Sequence, residues 1–193
     1  MAQDSRTRPF SIEDFDVVAA LVTDTWGSAV DLDWSVPAGT LEWSCWKTAD
    51  HTVDCVFSYA LFLASRRQEG YPPFDLLRAL PEATPADLVE GLHAVVRMLR
   101  AVIVTSPPGT RAVLTRTTDG DASDFAPRAA HEMILHGYDV CSGLGVRFEP
   151  PRDVSRRLLL HTNAWLPSGA DSIETSDAWS DLLARSGRAG PSA

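Results

Sequence analysis

Lysine is almost missing from this chain: Lys47 stands alone among 17 basic residues. That scarcity reads as the codon bias of a GC-rich genome rather than a physical requirement. Positive charge as a whole is also short, since Asp and Glu number 26 and the formal net charge is −9. Attraction to a phosphate backbone needs Lys and Arg to displace condensed counterions, so nucleic acid is not an expected partner. No apolar run reaches the roughly 18–20 residues that span a bilayer, and residues 1–9 are polar rather than signal-like. The expectation is no membrane and a cytoplasmic location. Cysteine is scarce: Cys45, Cys55 and Cys141 cannot all pair and lack the close spacing of a zinc knuckle or a redox CxxC. Free thiols suit a reducing compartment. There is no internal repeat.

Apolar residues make up 45% of the 193 and charged ones 22%, close to the averages of folded globular proteins, which argues against disorder or a fibrous class. The length suits a single domain over 1–193, with a core at about 11–145 and short C-terminal helices and a tail over 146–193.

The hydrophobic pattern is helical. Ser11 is an N-cap for a first helix with Glu13 and Asp14 in its first turn and Phe15, Val18, Leu21 and Val22 on one face. Pro37 and Gly39 mark residues 31–39 as a loop, anchored by Trp34. A long second helix is expected over about 42–68, where Pro and Gly are absent and Val53, Val56, Phe57, Ala60, Leu61 and Ala64 recur at helical spacing. A short helical turn is expected over 74–80. Thr84-Pro85 opens a third helix, carrying Leu88, Leu92, Val95, Leu99 and Val102 to Thr105. Residues 111–121 read as an extended connection or short strand. A fourth helix over about 124–142 closes at Gly143 and Gly145, and two shorter helices are expected near 153–163 and 175–185. Four main helices, each with one apolar face, predict an all-α four-helix bundle with additional short C-terminal helices.

Chemistry concentrates on the fourth helix. Glu132 and His136 are four apart, about 40° around a helix, so both can address one ion. Arg128, Glu132, His136 and Asp139 form a narrow polar stripe walled by Leu135 on one side and Ala129, Met133 and Val140 on the other, which predicts a buried site. Taken alone, Glu132 and His136 equally describe an ordinary exposed helical pair. His131-Glu132 does not begin an HExxH zincin, because position 135 is leucine. On the second helix His51 lies in a polar patch with Ser44, Thr48, Cys55 and Ser58, although a lone histidine there is also an ordinary core residue. Cys55, one turn on, could add a fourth ligand, but a small buried thiol is its ordinary fate, and it is left out of the ligand set. His93 and His161 read as structural or solvated.

Two stretches resemble one family. Trp46-Lys-Thr-Ala-Asp50-His51 is similar to the W-x-x-x-D/A-H opening of the DinB-like superfamily. Arg128-x-x-x-Glu132-x-x-x-His136-x-x-Asp139 resembles the R-x-x-E-x-x-x-H-x-x-D signature of its branch that is like the N-terminal domain of mycothiol-dependent maleylpyruvate isomerase, with one extra residue between Arg and Glu. The resemblance covers the chain to about position 145. It implies a DinB-like four-helix bundle holding a divalent metal on His51, Glu132 and His136, zinc foremost, with nickel or another first-row ion as alternatives. It also implies a low-molecular-weight thiol, mycothiol in actinobacteria, used for isomerisation or thiol transfer; the arginine-rich, lysine-poor composition fits such a host. The mycothiol-dependent isomerase has a further C-terminal domain contributing to its active site, whereas 146–193 is all that follows here. Maleylpyruvate isomerisation itself is therefore not expected.

Two imidazoles and a carboxylate leave a divalent ion positively charged and with an open position, as in catalytic zinc sites. A thiol there would be deprotonated and could attack an electrophile; water there would make a hydrolase. Asp139 and Arg128 are the catalytic candidates, as partners that orient a ligand, or else surface ion pairs. The leading expectation is a metal-dependent, thiol-using transferase or isomerase whose partners are a small-molecule electrophile and the thiol. A non-catalytic metal- or small-ligand-binding bundle and a metal-dependent hydrolase are the alternatives. Oligomeric state is left open, a homodimer included.

Overall fold

A computed structural model describes residues 8–74, 77–163 and 177–188. The described chain is mostly helical. Its elements in order are α1 (Ile12–Gly27), α2 (Cys45–Ser65), α3 (Pro85–Thr105), β1 (Arg111–Val113), β2 (Asp119–Asp121), α4 (Ala122–Leu144), α5 (Arg152–Asn163) and α6 (Ala178–Arg185).

Side chains that satisfy the free N–H groups of a first turn set several helix starts. The Asp14 carboxylate accepts from the Ser11 N–H at 3.1 Å before α1. Asp87 and Thr84 exchange bonds at the start of α3, where Pro85 occupies the first turn at no hydrogen-bond cost. Asp121 caps α4 through the Ser123 N–H at 2.8 Å.

Several elements differ from the sequence pattern, each for an identifiable reason. Helix α2 begins at Cys45 because the Ser44 hydroxyl accepts from the Lys47 N–H, while Ser44 itself bridges back to Pro37. It ends at Ser65 because Arg66 turns left-handed (φ 54°) and the Arg67 carbonyl accepts from Val113 of β1. The expected turn over 74–80 does not form among its described residues: the Leu77 and Ala79 N–H groups donate to the Asp54 and Asp50 carboxylates at 3.0 and 2.8 Å, so α2 side chains replace helical partners. Positions 75 and 76 lie outside the described residues, as do 1–7 of the polar start, the tail beyond 188, and 175–176 of the last expected helix. Helix α4 runs through Gly143 and closes at Gly145, whose φ is 69°. Residues 111–121 resolve into an antiparallel β1–β2 hairpin pairing Ala112 with Gly120.

Gly143 lies within the helix, where its missing side chain is what lets another segment approach. A Cβ there would run into the Pro37 carbonyl and stand 2.8 Å from Cys45 Sγ. Gly143→Ala is therefore expected to cost about 1–3 kcal/mol through overpacking, read as a lower denaturation midpoint. An unchanged midpoint would mean that the loop before α2 is not pinned to α4 at this position.

Helix α2 packs against α3 and α4, α1 against α4 and α3, and α5 against α6 and α4. The apolar faces meet in one buried cluster that includes Phe15, Trp26, Leu63, Leu92, Phe125, Met133, Leu158 and Leu183. Each such side chain stabilises the fold by about 1.5–3 kcal/mol. An ion pair ties α5 to α1: Arg157 donates to both oxygens of Asp14 at 2.7 and 2.9 Å, and both side chains are almost wholly buried. Among the described residues no helix is long and apolar enough to cross a membrane.

Candidate metal centre

The packing of α2 on α4 brings the two motif-bearing stretches together. His51 meets His136 edge to face, with ring centroids 5.2 Å apart and planes at 79°. His51 also meets Trp43, from the loop before α2, with ring centroids 5.1 Å apart. One turn along α4 from His136, the Glu132 Oε2 lies 3.7 Å from His136 Nε2. Two donors at about 2.0–2.2 Å from one tetrahedral ion stand about 3.3–3.6 Å apart, and two imidazoles on it place their centroids about 5 Å apart. The observed spacings come close to both values. Among the described residues, however, no group of three or more His, Cys, Asp or Glu side chains stands arranged to hold a metal ion. The three are neighbours that side-chain rotation would have to bring the rest of the way.

Each donor is held by other side chains. Glu132 Oε1 takes the Arg128 guanidinium at 2.9 Å and the Tyr59 hydroxyl at 3.4 Å, while Arg128 Nε donates to the Tyr59 oxygen at 3.0 Å. One carboxylate oxygen is thus engaged, and the other faces His136. Burial and the Glu132 charge push the Tyr59 hydroxyl far up, so it remains a phenol. Burial works against the Arg128 charge, but Tyr59 and Glu132 outweigh it and raise its pKa above the ordinary value.

His136 Nδ1 lies 3.1 Å from Asp139 Oδ2. Burial acts to raise the Asp139 pKa, yet hydrogen bonds from His136 and Arg188 win and hold it below the usual carboxylate value. An ionised carboxylate only accepts, so Nδ1 carries a proton, and Nε2 is the ring nitrogen left to address a metal. Burial, reinforced by neighbouring His136, lowers the His51 pKa and favours its neutral ring. Two imidazoles beside a carboxylate are the donor chemistry of a divalent first-row ion, and on that ground the residues fit one.

Cys55 comes nearer than its sequence reading implied, with Sγ 3.3 Å from His51 Nε2. Burial first, then the Glu132 and Asp54 charges, drive its pKa well up, so without a metal it is a protonated thiol.

A cavity of about 360 Å³, lined by Leu41, Glu42, Trp43, His51 and His136, opens over the histidine pair. Neither catalytic candidate lines it. Arg128 acts on Glu132, and Asp139, 1% exposed, acts on His136. A larger hollow of about 730 Å³ is walled by Tyr138, Arg147, Phe148 and Trp179, and its lining holds no histidine or cysteine. His161 is on α5 beside Asp124. His131, its pKa lowered to about 4 by burial, does not line the smaller cavity.

Sequence reasoning missed three residues. Tyr59 follows His51 and Cys55 at four-residue steps, so extending that stripe would have found it. Trp43 lies just ahead of the helix cap, where no periodicity applies. Arg188 reaches Asp139 from 49 positions away, and nothing local marks it. Trp46 of the recognised opening is an anchor rather than a site residue: its indole N–H donates to the Ala83 carbonyl at 2.7 Å. No family model matches the chain, and no curated protein and no solved structure matches it.

Proposed function

We propose that this protein is a DinB-like four-helix bundle, formed by α1 to α4, that holds one divalent ion, zinc foremost, on His51, Glu132 and His136. In this reading it acts in the cytoplasm as a thiol-using transferase or isomerase on a small electrophile, with mycothiol as the thiol. The observation that supports it most is the His51–His136 pair at 5.2 Å under an open cavity, with Glu132 Oε2 3.7 Å from His136 Nε2. A bound ion would supply the positive charge that keeps a thiol deprotonated near neutral pH. The chain's own groups do the rest. Arg128 and Tyr59 aim the Glu132 carboxylate, and Asp139 holds the His136 proton on Nδ1. Trp43 and Leu41 wall the cavity with apolar surface against which an electrophile can be oriented.

One contact favours a second reading. Cys55 Sγ, 3.3 Å from His51 Nε2, is close enough to be a fourth donor that closes the coordination shell, which would make the protein a non-catalytic metal-binding module.

Cobalt(II)-loaded protein separates these readings, because thiolate on cobalt adds a charge-transfer absorption that water does not. The open site predicts no such band at rest, a band on adding mycothiol, the same behaviour in Cys55→Ser, and thiol-dependent turnover of electrophiles. A band present before any thiol and lost in Cys55→Ser would establish the closed module instead. No band at saturating thiol in either protein would end the transferase reading and leave water as the occupant, as in a hydrolase.

A further inference from the structure

Arg188 follows α6, its backbone N–H bonded to the Leu183 carbonyl at 2.8 Å. Its guanidinium grips Asp139 fork to fork, Nε to Oδ1 at 2.7 Å and a terminal nitrogen to Oδ2 at 2.6 Å. Such bidentate pairs are short, strong and orientationally strict. The Arg188 side chain is 12% exposed and that of Asp139 2%, so the grip operates largely out of water. The Asp139 oxygen nearest His136 is the same Oδ2 that Arg188 holds. Helix α6 is docked independently of this grip, because Trp179 meets Tyr138 of α4 edge to face at 5.7 Å and packs on Phe148.

We propose that Arg188 is a positioning residue for the α2–α4 site: by fixing Asp139 it keeps the His136 proton on Nδ1 and leaves Nε2 free toward Glu132 and the cavity. The chain beyond α4 thereby completes a site whose donors all lie on two other helices. Free neutral imidazole prefers its proton on the other nitrogen, so this tautomer has to be imposed. Glu132 is a rival acceptor, but its Oε2 stands at 3.7 Å and its Oε1 is engaged by Arg128 and Tyr59. Removing Arg188 leaves Asp139 free to rotate, and the preference for Nδ1 weakens.

This inference rests on His136 being a functional donor, but its test does not require the metal. Nitrogen-15 spectra of the metal-free, full-length chain at alkaline pH report which ring nitrogen of His136 is protonated, the resonance being assigned by its loss in His136→Gln. The native protein is expected to show the proton on Nδ1. Arg188→Ala should move population to Nε2, and Arg188→Lys, which keeps the charge, should restore it in part. Arg188→Gln, which keeps side-chain length without charge, serves if the alanine variant does not fold. Cobalt(II) or zinc affinity should fall in Arg188→Ala, by no more than the roughly 10–100-fold expected for losing the ligand's direct partner. An Nδ1 signal unchanged in both Arg188→Ala and Arg188→Gln overturns the proposal. A shifted tautomer in a chain that binds no zinc or cobalt would instead sustain the positioning role and refute the metal reading.

Discussion

His136→Ala is expected to abolish stoichiometric binding of a divalent ion while leaving the helical circular-dichroism spectrum intact. On the proposed reading the two effects separate, because His136 is then a metal ligand and is dispensable to the core. It contributes one imidazole of the pair, and with it gone only His51 and Glu132 remain, too few to hold an ion with one open position. The loss should exceed the roughly 10–100-fold that follows removal of an outer partner. The fold should survive, since truncation opens onto a cavity that already exists and leaves no buried charge alone. Asp139 keeps both bonds from Arg188, and Glu132 keeps Arg128 and Tyr59. Metal content per chain after dialysis against zinc, measured beside the far-ultraviolet spectrum, decides the matter. Native metal content in the variant would remove His136 from the ligand set.

What the sequence could and could not reveal follows the range of the forces involved. Thr84-Pro85 and Asp87 act within one turn, and α3 begins and ends where its pattern placed it. Helix α2 was drawn too long because periodicity measures which face is apolar, whereas the bonds of Ser44 to Lys47 and Pro37, the left-handed turn at Arg66 and the bond of Arg67 to β1 bound the helix in ways that periodicity does not register. Gly143 looked like a terminator because a glycine's backbone freedom is a local property, while its use here is the close approach of Pro37 and Cys45 from more than ninety residues away. The site divides the same way. The proximity of Glu132 and His136 was legible because they stand on successive turns of one helix face. His51 needed a resemblance to join them, since pairing α2 with α4 is a tertiary event. The aiming of Glu132 by Tyr59 and of Asp139 by Arg188 depends on side chains that meet only in the folded molecule.

Arg157→Met is expected to destabilise the protein by about 3 kcal/mol near neutral pH, the scale of removing one partner from a buried ion pair. For a chain of this length that corresponds to a fall in melting temperature of roughly 6–12 °C. Methionine keeps most of the apolar stem, so the loss reports the charge rather than a cavity. Both partners are nearly inaccessible, 2% and 3% exposed, and Asp14 also accepts the Ser11 N–H that starts α1. Without Arg157 the Asp14 carboxylate would depend on Arg8, which is one-third exposed and screened by solvent. The pH dependence has a definite sign. Burial acts to raise the Asp14 pKa, but hydrogen bonds from Arg157 and Arg8 prevail and hold it below its ordinary 3.8. The pair's contribution is therefore fully present above that value and is lost as pH falls through the lower folded value. In Arg157→Met the burial effect is less opposed, the Asp14 carboxyl protonates at higher pH, and the stability gap between native and variant should narrow on acidification. Denaturant midpoints of both proteins from pH 7 down to pH 3 test this. A gap under about 1 kcal/mol at pH 7, or one that does not change with pH, would mean that the charge pair does not hold α5 against α1 and that apolar contacts such as Val154 and Leu158 do so instead.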